Sequence, residues 1–432
     1  MASITSLFGS KNNTNPTVQE LAQQLGINTA YEYSVIIKSA AKLEDIASAV
    51  QQAGSSITEE EGATAIKAAG NVYDITDVTQ KIVITSRRDG SATVCEIDFK
   101  LPYLEIAPWP PGSLIIVKIL NVDPTKAIQF IGYEFEISRN QWGDARIVAY
   151  DSMRYLQNSI YVFKPAQTKG SEIITEAITQ CGLNTSMSTD FNIDYHWQNM
   201  PFIQYAKPAI DLINWVLNRS VATNEIKDAY FIRSDYNEPS GKTIKFGYCK
   251  DNKTNYVLGK NSLLIDFKIV CSIDEQTYNS IELIYDDGKE LQRLEAATVN
   301  APLAQKQYGL LKLVKQFNDT WFCVLSSGQW KSAEGAATGG DANARLFITE
   351  WAKSMLEFYC RPFYTLQMTT LGVPGLRAGD IVKIDIPGMG IGSNKEWNDE
   401  ALVDEVIHTF EESIHTMDIV VTVGCNEKTD AL

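Results

Sequence analysis

Histidine is scarce in this chain and cysteine never clusters. The three histidines, His196, His408 and His415, include no H-E-x-x-H and no other short ligand spacing, which excludes a metal centre written locally in the sequence. His408 and His415 flank the turn Glu411-Glu-Ser413, so a hairpin there brings them towards each other and towards Glu405. Hydrogen-bonded strand residues are the ordinary outcome of such a pair. The seven cysteines (Cys95, Cys181, Cys249, Cys271, Cys323, Cys360, Cys425) stand far apart, form no C-x-x-C and are odd in number, against both a zinc ribbon and a disulfide framework. Unpaired thiols in a reducing compartment fit that pattern.

Basic charge is in deficit. Lys and Arg number 38 against 53 Asp and Glu, a formal net charge of -15, which repels phosphate backbones and excludes stable nucleic-acid binding over a broad surface. No run approaches the roughly 18 apolar residues that a membrane-spanning helix needs, so no membrane insertion is expected. The start, MASITSLFGSKNN, lacks the charged and apolar regions of a signal peptide, and the chain is expected to be made and folded in the cytoplasm.

Nucleophilic catalysis has no anchor, since no G-x-S-x-G elbow is present. Gly388-Met-Gly-Ile-Gly392 imitates a dinucleotide fingerprint, but Ser393-Asn-Lys-Glu-Trp-Asn398 after it opens no apolar helix. It reads as a glycine-rich hairpin loop, and no cofactor is expected. Acid pairs such as Asp286-Asp287 and Glu411-Glu412 are adjacent rather than opposed across a cleft, as glycoside hydrolysis requires. The chain reads as a non-enzyme without a catalytic, cofactor or metal site.

What is present is apolar material, 44% of 432 residues, enough for more than one core and about three domains. Residues 1–70 are rich in Ala, Gln, Glu and Ser and read as an N-terminal helical extension. Thr17 with Glu20 makes a capping box, Leu43, Ile46, Ala47 and Val50 share one helical face, and Thr58 with Glu61 opens a third helix.

From Asn71 the period becomes two, in Lys81-Ile-Val-Ile-Thr85, Thr93 to Phe99, Ser113 to Leu120, Gln129 to Ile137 and Ala145 to Tyr150. Asp89-Gly90, Trp109-Pro-Pro-Gly112 and Gln141-Trp-Gly-Asp144 are turn signals, so residues 71–155 are expected to form a small antiparallel barrel. Residues 156–262 read as an α/β domain, with helices from Ser171 to Cys181 and from Pro208 to Arg219. A second strand-rich part, 263–300 with 363–426, is interrupted by a helical insertion at 301–362, in which Gln305 to Phe317 and Ala344 to Cys360 read as helices and Ser332 to Gly340 as a loop.

The two strand-rich parts echo each other. Gly112-Ser-Leu-Ile-Ile-Val-Lys-Ile119, Phe130 to Ile137 and Ile147 to Tyr150 match, in order, Gly379-Asp-Ile-Val-Lys-Ile384, Leu402 to Phe410 and Met417 to Val421. An internal duplication is expected, giving a β-dominated α+β fold with two barrels. The aromatic loops holding Trp109, Trp142, Trp330 and Trp397 offer surfaces for a protein or sugar partner, and Trp109, Trp142, Met389 and Trp397 are the candidate interface residues.

Particular stretches carry a family likeness. Asn71 to Val78, Ala149-Tyr-Asp-Ser-Met-Arg-Tyr-Leu-Gln-Asn158, Ser272 to Asp286, Leu376-Arg-Ala-Gly-Asp-Ile-Val-Lys383 and His408-Thr-Phe-Glu-Glu-Ser-Ile-His-Thr-Met-Asp-Ile-Val420 resemble, in order, the central baseplate hub protein of contractile phage tails, as in Gram-positive prophages and phage-tail-like bacteriocins. The resemblance implies two tail-tube-like β-barrels per chain and a homotrimer, with the tail tube protein above and the spike protein below. Tape measure and baseplate wedge proteins are further partners it brings into view. It also implies assembly in the bacterial host cytoplasm and a mature place in the baseplate of a virion or phage-tail-like particle. The first 70 residues have no counterpart in the shorter members, and no peptidoglycan-hydrolase domain follows the second barrel, so wall degradation is expected to belong to another protein. The competing expectations are a baseplate-associated cell-wall hydrolase and a carbohydrate-binding β-protein.

Overall fold

The computed structural model describes residues 32–39, 67–69, 72–100, 109–163, 170–187, 204–219, 230–238, 240–259, 264–272, 277–286, 293–317, 322–324, 330–332, 348–349, 351–353, 355–356, 359–360, 363–386, 400–411 and 414–423. Most of the strands join one large, mainly antiparallel sheet, with smaller sheets and helices set around it in a β-dominated α+β fold.

The first unit is built from β1 (Tyr33–Lys38), β2 (Thr79–Arg87), β3 (Val94–Lys100), β4 (Leu114–Ile119), β5 (Ile128–Arg139) and β6 (Asp144–Tyr150). Alternation along β2, β3 and β6 sends Ile82, Ile84, Cys95, Ile97, Phe99 and Ile147 inward, where all are essentially buried, and leaves charged residues on the other face. Hydrogen bonds run in the order β4-β5-β6-β3-β2, and β1 covers the outer edge of β4 antiparallel. This strand replaces the helix expected across 1–70 at the positions described. Val35, Ile36 and Ile37 are all buried, so the strand is covered on both faces and its apolar run carries no alternation to read. Lys67–Ala69 is also a strand. The helices expected around Thr17, Leu43 and Thr58 lie outside the described residues.

The second unit comprises β7 (Lys253–Leu258), β8 (Leu264–Ser272), β9 (Phe363–Leu371), β10 (Ile381–Ile384), β11 (Glu400–Glu411) and β12 (Ile414–Val423). Its order, β10-β11-β12-β9-β8, is that of the first unit, and β7 covers β10 as β1 covers β4, though parallel rather than antiparallel. Backbone irregularities recur as well. Glycine at positive φ precedes β4 and β10 (Gly112 at 82°, Gly379 at 87°), and each glycine N–H donates to the carbonyl at the matching position, Glu134 or Val403. A register shift then falls at the next residue of β5 and β11, and another between residues 79 and 81 of β2 and 264 and 266 of β8. The two units share one backbone plan under different letters.

They are joined edge to edge. The distal half of β11 pairs with β2, from Glu405 opposite Arg87 to Glu411 opposite Lys81, and Phe410 enters the core of the first unit. Between the units, helices α1 (Gly170–Gln180) and α2 (Ala209–Arg219) pack with the strands Tyr230–Ser234 and Thr243–Tyr248 around a separate core.

The insertion differs from expectation in two ways. Ser280–Asp286 and Arg293–Asn300 form a small sheet with Lys312–Phe317 rather than part of the second unit, because Ile281, Leu283 and Ala297 pack against Ile348, Trp351 and Leu356. The helix expected from Gln305 to Phe317 is helical only over Pro302–Tyr308. Gly309 at φ 79° ends it, and a strand follows. The described positions from 348 to 359 are helical.

Candidate functional site

One loop, residues 372–380 between β9 and β10, touches every part of the chain described around it. Arg377 donates from Nη1 to the carbonyl of Ser234 at 2.7 Å, lies 3.7 Å over the Tyr236 ring and points Nη2 at Asp151 Oδ2, 4.0 Å away. Asp380 accepts from the Arg377 amide at 2.9 Å and from Arg233 Nη1 at 2.8 Å. Gly375 donates to Gln129 of the first unit, and Tyr256 of β7 donates to the carbonyl of Pro374. Asp151 belongs to the first unit, Arg233 and Tyr236 to the α/β region and Arg377 to the second unit, so this buried charge cluster fixes three bodies against one another.

Burial dominates its electrostatics. The Asp151 carboxyl is pushed up to about 6 because desolvation outweighs the attraction of Arg377 and the hydrogen bonds from Thr93 and Met153. At 4.0 Å the Arg377–Asp151 contact is a charge pairing without a hydrogen bond, too weak to overcome that cost.

The two histidines meet beside this loop, as their flanking of a hairpin turn implies, but away from Glu405, which pairs with Arg87. His408 Nε2 lies 2.8 Å from the carbonyl of Leu376, which can only accept, so His408 donates from Nε2 and receives the His415 Nε2–H at Nδ1 across 2.9 Å. Both rings are buried. Burial takes His408 down to about 4, opposed by the Leu376 bond, and takes His415 well below its ordinary range. Gly372 leaves the space for the His415 ring, since a Cβ there would overlap it. Among the described residues no group of His, Cys, Asp or Glu has the arrangement of a metal site.

The candidate interface residues fall in different places. Trp109 is buried, donates to Glu134 Oε2 at 2.6 Å and packs on Tyr73 and Phe99, so its side chain belongs to the core of the first unit. Proline and glycine around it mimic an exposed turn, and the partner that draws it inward, a buried glutamate on β5, is distant in sequence. Trp142 stands 75% exposed at the tip of the β5–β6 hairpin. Met389 and Trp397 lie outside the described residues. Arg377 and Asp151 carry no local chemical signature, although each sits in a stretch that carries the family likeness.

Within the repeated five-strand plan, two edges are open among the described residues. The outer edge of β8 has no partner strand, and neither has the distal half of β5 on the side where β4 pairs with its first half. Ile265 and Phe135, on or beside these edges, are 38% and 41% exposed.

The fold has known counterparts. The chain is similar to the 43 kDa tail protein of prophage MuSo2 from Shewanella oneidensis, with a TM-score of 0.51 and 17% identity over 82% of this chain and 97% of that one. It is similar to the tail protein from Neisseria meningitidis MC58, with a TM-score of 0.52 and 11% identity over 91% and 97%. It is also similar to a chain of the half-lidded Francisella PdpA-VgrG complex, with a TM-score of 0.50 and 12% identity over 96% and 62%. At these identities the likeness is one of fold. No curated protein matches the chain. A family model described as YQBQ-like matches residues 82–322 and 340–422, most of both units and of the regions between them, and the chain belongs to the YQBQ-like family.

Proposed function

We propose that this chain is the structural hub of a contractile-tail baseplate, adapting a sixfold tail tube to a threefold spike around a central channel. The observation that carries this reading is the duplication: two units of one strand order in a single chain, joined edge to edge through β2 and β11. Three such chains present six similar units to a sixfold ring while keeping true threefold symmetry towards the spike. The shared fold of phage tail proteins supports a place in a tail. An acidic balance of -15 suits a channel through which DNA or another acidic polymer passes without sticking. The hub has no catalytic role of its own. It is a homotrimer, contacts tail tube protein above and spike protein below, and is assembled in the host cytoplasm before taking its place in the particle.

The test is electron cryo-microscopy of native particles from producing cells, with the chain located by a fused tag. Three copies between tube and spike are expected. Six copies, or a position away from the tail axis, overturn the reading.

A further inference from the structure

We propose that neighbouring copies join by pairing the distal half of β5 of one chain with the outer edge of β8 of the next, in the register that already joins β11 to β2 within each chain. The inference rests on the trimeric reading above and supplies its interface.

The repeat dictates the pairing. By their matched register shifts, β5 is the counterpart of β11 and β8 that of β2. In each unit the first half of the long strand pairs with the short strand beside it. In the second unit the remaining half takes β2, whereas in the first it takes nothing among the described residues. Likewise, among the described residues, β2 has neighbours on both edges and its counterpart β8 on one. Among its described residues the chain therefore carries one used copy of this joint and the two unmatched halves of another. Those halves lie on different units, so a contact that joins one half from each of two copies is heterologous. Joined head to tail, they close a ring at the three copies of the trimeric reading.

Burial supports the same conclusion independently. Ile82 and Ile84 of β2 are buried, but their counterparts Phe267 and Ile269 on β8 are only half-buried. In the first unit that edge of the core is completed by β11, which contributes Phe410. A strand laid along β8 supplies the missing cover and removes an edge that otherwise invites uncontrolled pairing. Transferring the register from within the chain sets Glu136 opposite Ser272 and Arg139 opposite Ile269, with Ser138 opposite Val270 between them. Neither flanking pair places like charges together.

Disulfide trapping in the full-length chain tests this, both in the purified protein and in assembled particles. Two double variants, Arg139→Cys with Ile269→Cys and Ser138→Cys with Val270→Cys, are compared with their single variants and with Arg139→Cys plus Leu310→Cys, whose second site is exposed on the insertion. The expected result is a reductant-sensitive ladder ending at three chains for either paired variant. Mixing the two single variants of a pair should give linked dimers only, the mark of a head-to-tail joint. A trimer in particles without these links, or with links equally abundant in the Leu310 control, overturns the interface and leaves the hub reading standing. A chain monomeric both alone and in particles overturns both.

Discussion

The two units share a strand order and three backbone irregularities on sequences that agree at few positions, yet they differ in how they are finished. Positive-φ glycines and register shifts persist because they fix where each strand starts and bends, which letters on a face do not. The finishing differs because, among the described residues, only the first unit receives a strand of the other unit along its β2 edge. The first unit has β1 antiparallel on one side and β11 on the other. The second has β7 parallel on one side and, among the described residues, an open edge at β8.

The largest way to break this comparison is to remove residues 1–70. If the first unit depends on β1, the truncated chain loses the burial of Val35, Ile36 and Ile37, roughly 5–9 kcal/mol at about 1.5–3 kcal/mol for each side chain, which is comparable to the stability of a whole domain. Aggregation or loss of the sheet signal in circular dichroism is expected. A truncated chain that keeps its sheet signal and its melting temperature would make β1 dispensable.

Arg377→Met comes next. It leaves Asp151 buried without its counter-charge and should cost about 3–5 kcal/mol in urea denaturation. Adding Asp151→Asn should recover part of that loss, and strict additivity of the two would show that the residues do not act together.

The matched glycines sharpen the comparison further. Gly112→Ala and Gly379→Ala impose similar left-handed strain, about 1–2 kcal/mol each. A Cβ at 112 meets nothing within 4 Å, whereas one at 379 stands 2.9 Å from Phe231 Cβ, so the second variant should be the less stable of the two. Equal losses would mean that the α/β region yields freely at this contact.

The smallest net effect concerns pH, because the buried groups of the junction pull in opposite directions, His408 and His415 one way and Asp151 the other. His408 falls to about 4 on folding, so its contribution is full above its ordinary value and is lost as the solution is acidified towards 4. Asp151 rises to about 6, so its contribution is full below the ordinary carboxylate range and is lost as pH rises through 6. Melting temperatures across pH 4–7 should therefore gain acid resistance in His408→Gln and lose the decline towards neutrality in Asp151→Asn. Parallel curves for wild type and both variants would contradict the burial of these groups.

Much of this was legible in the sequence where periodicity is local. Apart from β1 and β7, the latter lying in the stretch read as an α/β domain, the strands of both units follow from alternation, and the echo of Gly112 in Gly379 marks the repeat. Burial on two faces hid β1, because a strand such as Tyr33-Ser-Val-Ile-Ile-Lys38 has no polar side to alternate with. Lys312–Phe317 was hidden by the helix immediately before it, whose end depends on a single glycine. The junction was legible least of all. Asp151, Arg233, Arg377 and His408 come from separate segments, and nothing local to any of them names its partner.

The joint between β11 and β2 also has a consequence in time. A ribosome releases the first unit long before residue 410, so through most of synthesis β2 has an open edge and the core of that unit lacks Phe410. Only when the last hairpin emerges does the unit close. A nascent chain is thus held back from displaying a finished pair of units until it is nearly complete, and truncated products never acquire the shape that a neighbour would accept.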